Sequence, residues 1–317
     1  MSKKIILLIT TLIVILGGVI LLKRQKTQDD LITIGILQFA SFPPLDEAKD
    51  GFVNELKKEY GQKLVIIEQN AQGSVVQAQA IASSFKANEN IKAFYAIATP
   101  SVQALKAAIQ DRPIIFAAVT DPIGQQLRFP GSNITGATDM ANIEKQTSII
   151  KELIPNLRKI SLIYNPGENN SVILVKKMKE ELTKVGIEYQ ENGVNSQADV
   201  AAATQNAVLN AQAILVPTDN TIAAAFPIVK QIADKAKIPL ITTWTGEKDA
   251  PLMQFGVDYM QSGVQAAELL KNILKNGVSP METEVISPSS KIFINSYELK
   301  RLNIVLPNSL KSEVIVL

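Results

Sequence analysis

The chain has 317 residues, 46% of them hydrophobic and 20% charged, which is a globular balance with core material for two lobes of ordinary size. Lys and Arg number 32 against 30 for Asp and Glu, a net charge of +2, and the scattered basic residues leave no footprint for nucleic acid. Neither Cys nor His occurs, so disulfides, thiol nucleophiles and Cys-rich zinc sites are excluded, and the commonest general base and metal ligand is missing. A carboxylate, Lys or Ser/Lys mechanism survives that filter, so catalysis is disfavoured rather than excluded; no metal and no cofactor is expected.

Residues Ile5 to Leu22 carry no charge, and Lys3, Lys4, Lys23, Arg24 and Lys26 flank them. Eighteen residues at helical rise cover ~27 Å, just enough for a bilayer core. The segment reads as a signal peptide or a signal anchor. Leu16-Gly17-Gly18 resembles the start of a lipoprotein box, but Val19 stands where the lipid-bearing Cys would be, which rules acylation out, and no A-x-A site follows. An uncleaved anchor is therefore expected, with basic residues on both sides leaving its orientation open.

After a polar linker from Gln25 to Asp30, strand-like and helix-like segments alternate. Leu31 to Gln38 is a β-branched apolar run of the buried parallel kind. Leu45 to Tyr60 has helical spacing, Lys63 to Glu68 reads as a strand, Val75 to Ala87 as a helix and Ile91 to Ala98 as a strand. Ser101 to Gln110 predicts a helix and Pro113 to Val119 the next strand. The pattern restarts with a strand at Lys159 to Tyr164 and a helix from Ser171 to Val185 ending at Gly186. Then come Ile187 to Glu191, a helix at Gln197 to Leu209, a strand at Ala213 to Val216, a helix at Thr221 to Lys235 and a strand at Ile238 to Thr242. Tyr259 to Lys275 is a helix stopped by Asn276-Gly277. Glu282 to Ile286 and Lys291 to Ile294 read as short strands, and Ser296 to Leu302 as a last helix.

This alternation implies an α/β protein with parallel sheets covered on both faces. Ala98-Thr99-Pro100 in the first half and Pro217-Thr218-Asp219-Asn220 in the second both lead into helices, so the halves form two similar lobes. The expected division is 31–137 plus 258–288 for lobe one and 138–257 plus 289–317 for lobe two, with 1–30 as anchor and linker.

Ligands of open parallel sheets bind at the carboxyl ends of the strands. The candidates there are Gln38, Phe42, Thr99, Thr120 and Asp121 from lobe one, Asn165, Asp219, Asn220 and Trp244 from lobe two, and Asp258 at the crossover. Hydroxyls and free N–H groups at helix starts suit a carboxylate, Asp219 or Asp258 suits an ammonium, and rings suit an apolar side chain. Each has a plainer alternative: N-caps for Thr99, Asp219 and Asn220, a helix start for Asp258, turns for Asp121-Pro122 and Asn165-Pro166-Gly167, and packing for Phe42 and Trp244.

Several short motifs, in this order, carry a family resemblance: Pro44-Leu45-Asp46, Gln69-Asn70-Ala71-Gln72-Gly73, Ala96-Ile97-Ala98-Thr99-Pro100, Ala118-Val119-Thr120-Asp121-Pro122, Asn133-Ile134-Thr135-Gly136, Tyr164-Asn165-Pro166-Gly167-Glu168, Pro217-Thr218-Asp219-Asn220 and Gly256-Val257-Asp258-Tyr259. From about Thr33 to Pro307 the chain resembles the ABC-transporter substrate-binding proteins that include tryptophan- and other aromatic-amino-acid-binding members. The resemblance implies two Rossmann-like lobes joined by three crossovers, a clamp like the type I periplasmic-binding-protein fold. It also implies that Thr99 and nearby donors hold a ligand carboxylate, that Asp219 or Asp258 holds its ammonium, and that Asn165 and Asn220 add hydrogen bonds.

The function expected is therefore an extracytoplasmic solute receptor of an ABC importer, binding an amino acid with an aromatic or apolar side chain, without turnover. Its partners would be permease and ATPase subunits, and the membrane through its N-terminal segment. Alternatives are a membrane-tethered ligand-sensing domain, or the same clamp with a sugar or nucleoside. A dinucleotide enzyme is disfavoured because Leu37-Gln38-Phe39-Ala40 replaces G-x-G-x-x-G at the first turn, and a repressor because an anchor stands where a DNA-binding helix-turn-helix would be.

Overall fold

The structure, a computed structural model, describes residues 31–317 apart from Lys248. The Ile5–Leu22 segment and its linker lie outside the described residues. Among the described residues no helix is long and apolar enough to cross a membrane.

Five strands, β1 (Ile32–Gln38), β2 (Leu64–Asn70), β3 (Ile91–Ile97), β4 (Ile114–Val119) and β5 (Ile134–Thr138), form a wholly parallel sheet in the order β2-β1-β3-β4-β5. Helices α1 (Pro43–Tyr60), α2 (Val75–Ala87) and α3 (Thr99–Ala108) connect them. All six residues of β4 are buried, as helices on both faces require, which is why the strand reads as a continuous apolar run.

The chain then crosses to a second sheet through helix α4 (Ile143–Leu153). Strands β6 (Lys159–Tyr164), β7 (Glu188–Gly193), β8 (Ala213–Val216), β9 (Leu240–Thr242) and β10 (Met253–Val257) pair as β7-β6-β8-β9-β10. That order repeats the first sheet. Helices α5 (Asn169–Lys184), α6 (Val200–Asn210), α7 (Asn220–Ala224) and α8 (Phe226–Ala236) lie in this half. Helix α9 (Tyr259–Asn276) returns to the first sheet and packs on α1, β4 and β5. A third crossing brings β11 (Ser290–Ile294) antiparallel onto β10, followed by α10 (Ser296–Leu302) and β12 (Ile315–Val316). An isolated bridge between Ala137 and Ile286 ties the first crossing to the third. Lys230 of α8 reaches Glu298 of α10 at 3.1 Å, both almost wholly buried, which fixes the late helix to lobe two.

Close backbone approach explains two glycines. A Cβ on Gly263 of α9 would stand 2.0 Å from the carbonyl oxygen of Ala48, and one on Gly51 of α1 would stand 2.2 Å from that of Met260. The two helices therefore touch backbone to backbone.

Four elements escape a reading of the sequence. Strands β5 (ITGAT) and β10 (MQFGV) are five residues long with a glycine inside, so neither offers a β-branched run; β12 is two residues long; and α4 announces its start only by Asn142 and the acidic Glu144. Two expectations are corrected. Glu282 to Ile286 is no strand: a capping box at Ser279 and Glu282 winds a 3-10 turn over Pro280–Glu282, and Arg128 holds the carbonyls of Met281 and Thr283. The helix expected over Thr221 to Lys235 is two helices, because the chain breaks at Ala225 and restarts with Pro227 in the first turn of α8.

Candidate functional site

Between the lobes, at the carboxyl ends of the strands, lies a slot with about 330 Å³ of atom-free space, of which only about 20 Å³ admits the centre of a water-sized sphere. That is room for about one or two waters. Phe42, Pro44 and Leu45 at the start of α1, Thr99 at the start of α3, Ala118 and Thr120 at the end of β4 and Tyr259 at the start of α9 line it from lobe one, and Asp139 lines it from the first crossing, just past β5. Asn170, Thr218, Asp219, Asn220, Ala223 and Trp244 line it from lobe two. A continuous cluster of buried apolar side chains runs from lobe one through Trp244, Val257 and Tyr259 into one face of lobe two.

Six of the ten residues picked from the sequence line this slot: Phe42, Thr99, Thr120, Asp219, Asn220 and Trp244. Thr99 is buried, and its hydroxyl has no protein partner. The residue before it, Ala98, has φ 77°, and Ala118 has φ 57°; backbone of this kind persists only where the surroundings enforce it and tends to mark functional sites. Trp244 is both wall and core: its ring meets Phe226 edge-on at 5.7 Å, and its Nε1 donates to Glu247 Oε1 at 2.7 Å.

Asp219 faces the slot, but protein donors occupy both its oxygens. Oδ1 caps α7 by accepting from Ile222 N at 2.9 Å, and Oδ2 accepts from Asn165 N at 2.6 Å and Ser171 Oγ at 2.7 Å. Burial and the neighbouring Glu168 carboxylate hold its carboxyl well above the usual range. Glu168, in turn, accepts from Asn170, from the backbone and amide of Asn220, and from the backbone and hydroxyl of Thr221. These two acids knit the loops after β6 and β8 together.

Four candidates fall outside the slot. Asp258 caps α9 by accepting from Gln261 N at 3.0 Å and pairs with Lys291 at 2.9 Å on an outward face. Burial would raise its pKa, but those two partners outweigh it and hold it below the ordinary value. Asp121 closes its own turn by accepting from Gly124 N at 2.9 Å. Gln38 is wholly buried and donates to Asp46 Oδ1 at 2.7 Å, joining β1 to the first turns of α1. Asn165 turns its Oδ1 back to Gly167 N at 2.8 Å and its amide to Thr221 Oγ1 at 2.9 Å; it lines a wider neighbouring groove instead.

Asp139 is not among the residues picked from the sequence. It is fully buried, and Thr120 Oγ1 donates to its Oδ1 at 2.7 Å, whereas Oδ2 has only the Tyr259 hydroxyl at 3.5 Å. Burial pushes its pKa up to about 6, with the Thr120 bond opposing. Among the described residues no lining residue of the slot is Lys or Arg, so this carboxyl has spare acceptor capacity and no cation among them beside it. Its signal was its place directly after a strand, lost because β5 was not legible. Tyr259, beside Asp258 in a quoted motif, is the residue of that pair that faces inward.

Two parallel α/β lobes, three crossings and a slot at the strand ends between them make up the type I periplasmic-binding-protein fold. The chain belongs to the family of ABC transporter substrate binding proteins, whose sequence model it matches over residues 33–315. It is 37% identical over 279 residues to a tyrosine-binding protein of Clostridioides difficile, covering 85% of this chain and 80% of that one. It superposes with TM-score 0.85 at 31% identity on an ABC domain of Streptococcus pneumoniae in complex with L-Trp, and with 0.67 at 33% identity on a ligand-free, open substrate-binding protein with adhesive properties from Clostridium difficile. Each alignment covers 90% of this chain and 99% of the other.

Proposed function

We propose that the chain is the extracytoplasmic receptor of an ABC importer and holds a free amino acid with an aromatic or apolar side chain, as a zwitterion, in the inter-lobe slot, whose lining parts from its present room for one or two waters to admit it. The observation that carries the reading is Asp139, a wholly buried carboxyl with an under-used oxygen in a slot lined, among the described residues, by no Lys or Arg. A buried charge calls for a partner, and a ligand ammonium supplies it. The start of α3, with the unpartnered Thr99 hydroxyl, suits the ligand carboxylate. Phe42, Leu45, Trp244 and Tyr259 offer walls for an apolar side chain, and the tyrosine- and tryptophan-binding relatives point to the same ligand class.

Binding is reversible and without turnover, and delivery falls to permease and ATPase subunits. At nearly equal identity, the better superposition on the L-Trp complex than on the open protein supports a closed clamp here. Its rigid bodies are residues 31–137 with 258–288, and 138–257 with 289–317. The uncharged Ile5–Leu22 segment holds the receptor at the outer face of the membrane.

Calorimetry with tyrosine, tryptophan, leucine, a sugar panel and a nucleoside panel tests the ligand. An aromatic amino acid should bind at micromolar or tighter affinity; binding of a sugar or nucleoside with no amino acid tighter than millimolar overturns the reading.

A further inference from the structure

The slot has two distinguishable ends. Asp139 and Tyr259 sit where the chain crosses between lobes, and they line the slot without lining the wider groove. Asn170 and Asn220 line both the slot and that groove, which admits the centre of a water-sized sphere over about 640 Å³. They therefore mark the side of the slot that opens onto the groove, a side that Asp139 and Tyr259 do not reach.

On that side Asn170 is 2% exposed, and its Oδ1 is buried without a partner among the described residues. Its Nδ2 donates to Thr218 O at 2.9 Å and to Glu168 Oε2 at 3.1 Å, with Ser171 Oγ at 3.4 Å. A carbonyl and a carboxylate only accept. Turning the amide over would set oxygen against oxygen, so Oδ1 is locked as an acceptor. The Nδ2 of Asn220 is likewise committed, to Glu168 Oε2 at 2.6 Å, so neither amide offers this side of the slot a donor.

We propose that Asn170 Oδ1 is the specificity-determining acceptor of the site, receiving a hydrogen bond from a ring-borne donor, a phenol O–H or an indole N–H, on an aromatic amino acid whose ammonium pairs with Asp139. The proposal rests on the amino-acid reading of the slot and narrows it. A ring without a donor fits the same walls but leaves a buried acceptor stranded, and a site built around a hydrogen bond rejects the analogue that lacks it. Discrimination thus comes from an unmet acceptor rather than from a clash.

The test is calorimetry on the purified full-length chain with tyrosine, tryptophan, phenylalanine and 4-fluorophenylalanine, the last matching tyrosine in length without its donor. Tyrosine and tryptophan should bind at least about tenfold tighter than the other two. In Asn170→Leu that gap should close, with phenylalanine affinity nearly unchanged and the fold checked by circular dichroism. Should the variant fail to fold, the four ligands on the unaltered chain decide. The proposal is overturned if all four bind the unaltered chain within about threefold of one another, or if Asn170→Leu weakens all of them equally, which would place Oδ1 at the ammonium. If no amino acid binds, the reading of the slot itself falls.

Discussion

Replacing Asp139 by Asn should make the free protein more stable and the receptor nearly blind to its ligand. The ionised Asp139 carboxylate is costly in the ligand-free slot. Its pKa stands at about 6 against an ordinary 3.8, a gap worth about 3 kcal/mol at 1.36 kcal/mol per pH unit. The folded state therefore binds the extra proton between those two values, and stability present below about pH 3.8 is lost as pH rises through about 6. Asn keeps the Thr120 bond and carries no charge, so at pH 7.5 Asp139→Asn should raise Tm by several degrees.

Binding should move the other way. Truncating one partner of a buried charge pair costs ~2–5 kcal/mol, roughly a 30-fold to several-thousand-fold rise in Kd. In the unaltered protein the ionised fraction of Asp139 falls about tenfold between pH 7 and pH 5, so Kd for the amino acid should rise about tenfold over that range, and in Asp139→Asn it should stay flat. Calorimetry and thermal melts at the two pH values read both effects. A variant that binds as tightly as the parent, or that melts lower, refutes the assignment.

Thr99→Val should weaken amino-acid binding by about 10- to 100-fold, the worth of a hydrogen bond to a charged group, and leave Tm within a degree or two because the hydroxyl has no protein partner to lose; an equal loss of stability and affinity would count against it. Gly263→Ala drives a methyl into the Ala48 carbonyl, so it should cost ~1–3 kcal/mol or more and lower affinity with it; an unchanged melting curve would show that α1 and α9 separate freely. In small-angle scattering the ligand-free protein should be larger than the closed structure described here, and saturating ligand should shrink it. An unchanged radius of gyration would rule out clamp closure.

Strands with continuous apolar runs, such as β1 and β4, were plain in the sequence because burial on both faces leaves no alternative composition. Strand β5 was not: at five residues with Gly136 pressed against Phe116, its form is dictated by neighbours distant in sequence, and with it went Asp139. The end-of-strand rule found Thr99, Thr120 and Asp219 because position alone selects them. It misplaced Asp258, since capping a helix and facing a cleft draw on the same residue types, and only the pairing with Lys291 shows which way the carboxylate turns. Asn170 lies in the stretch from Asn165 to Ser171 after β6 that the same rule marks, but which way its amide faces depends on partners that the sequence does not show.

The backbone contact between α1 and α9 has a mechanical meaning. Both helices begin at the slot, with Phe42 and Leu45 on one and Tyr259 on the other. They run side by side for 18 residues each, ~27 Å, and Glu55 grips Lys271 at 2.8 Å, with Glu59 to Lys275 beyond it. A solute that presses on the slot thus pushes a stiff double beam rather than a loop. A clamp that closes on a solute would therefore carry the far ends of these helices together with the near ones, as one body.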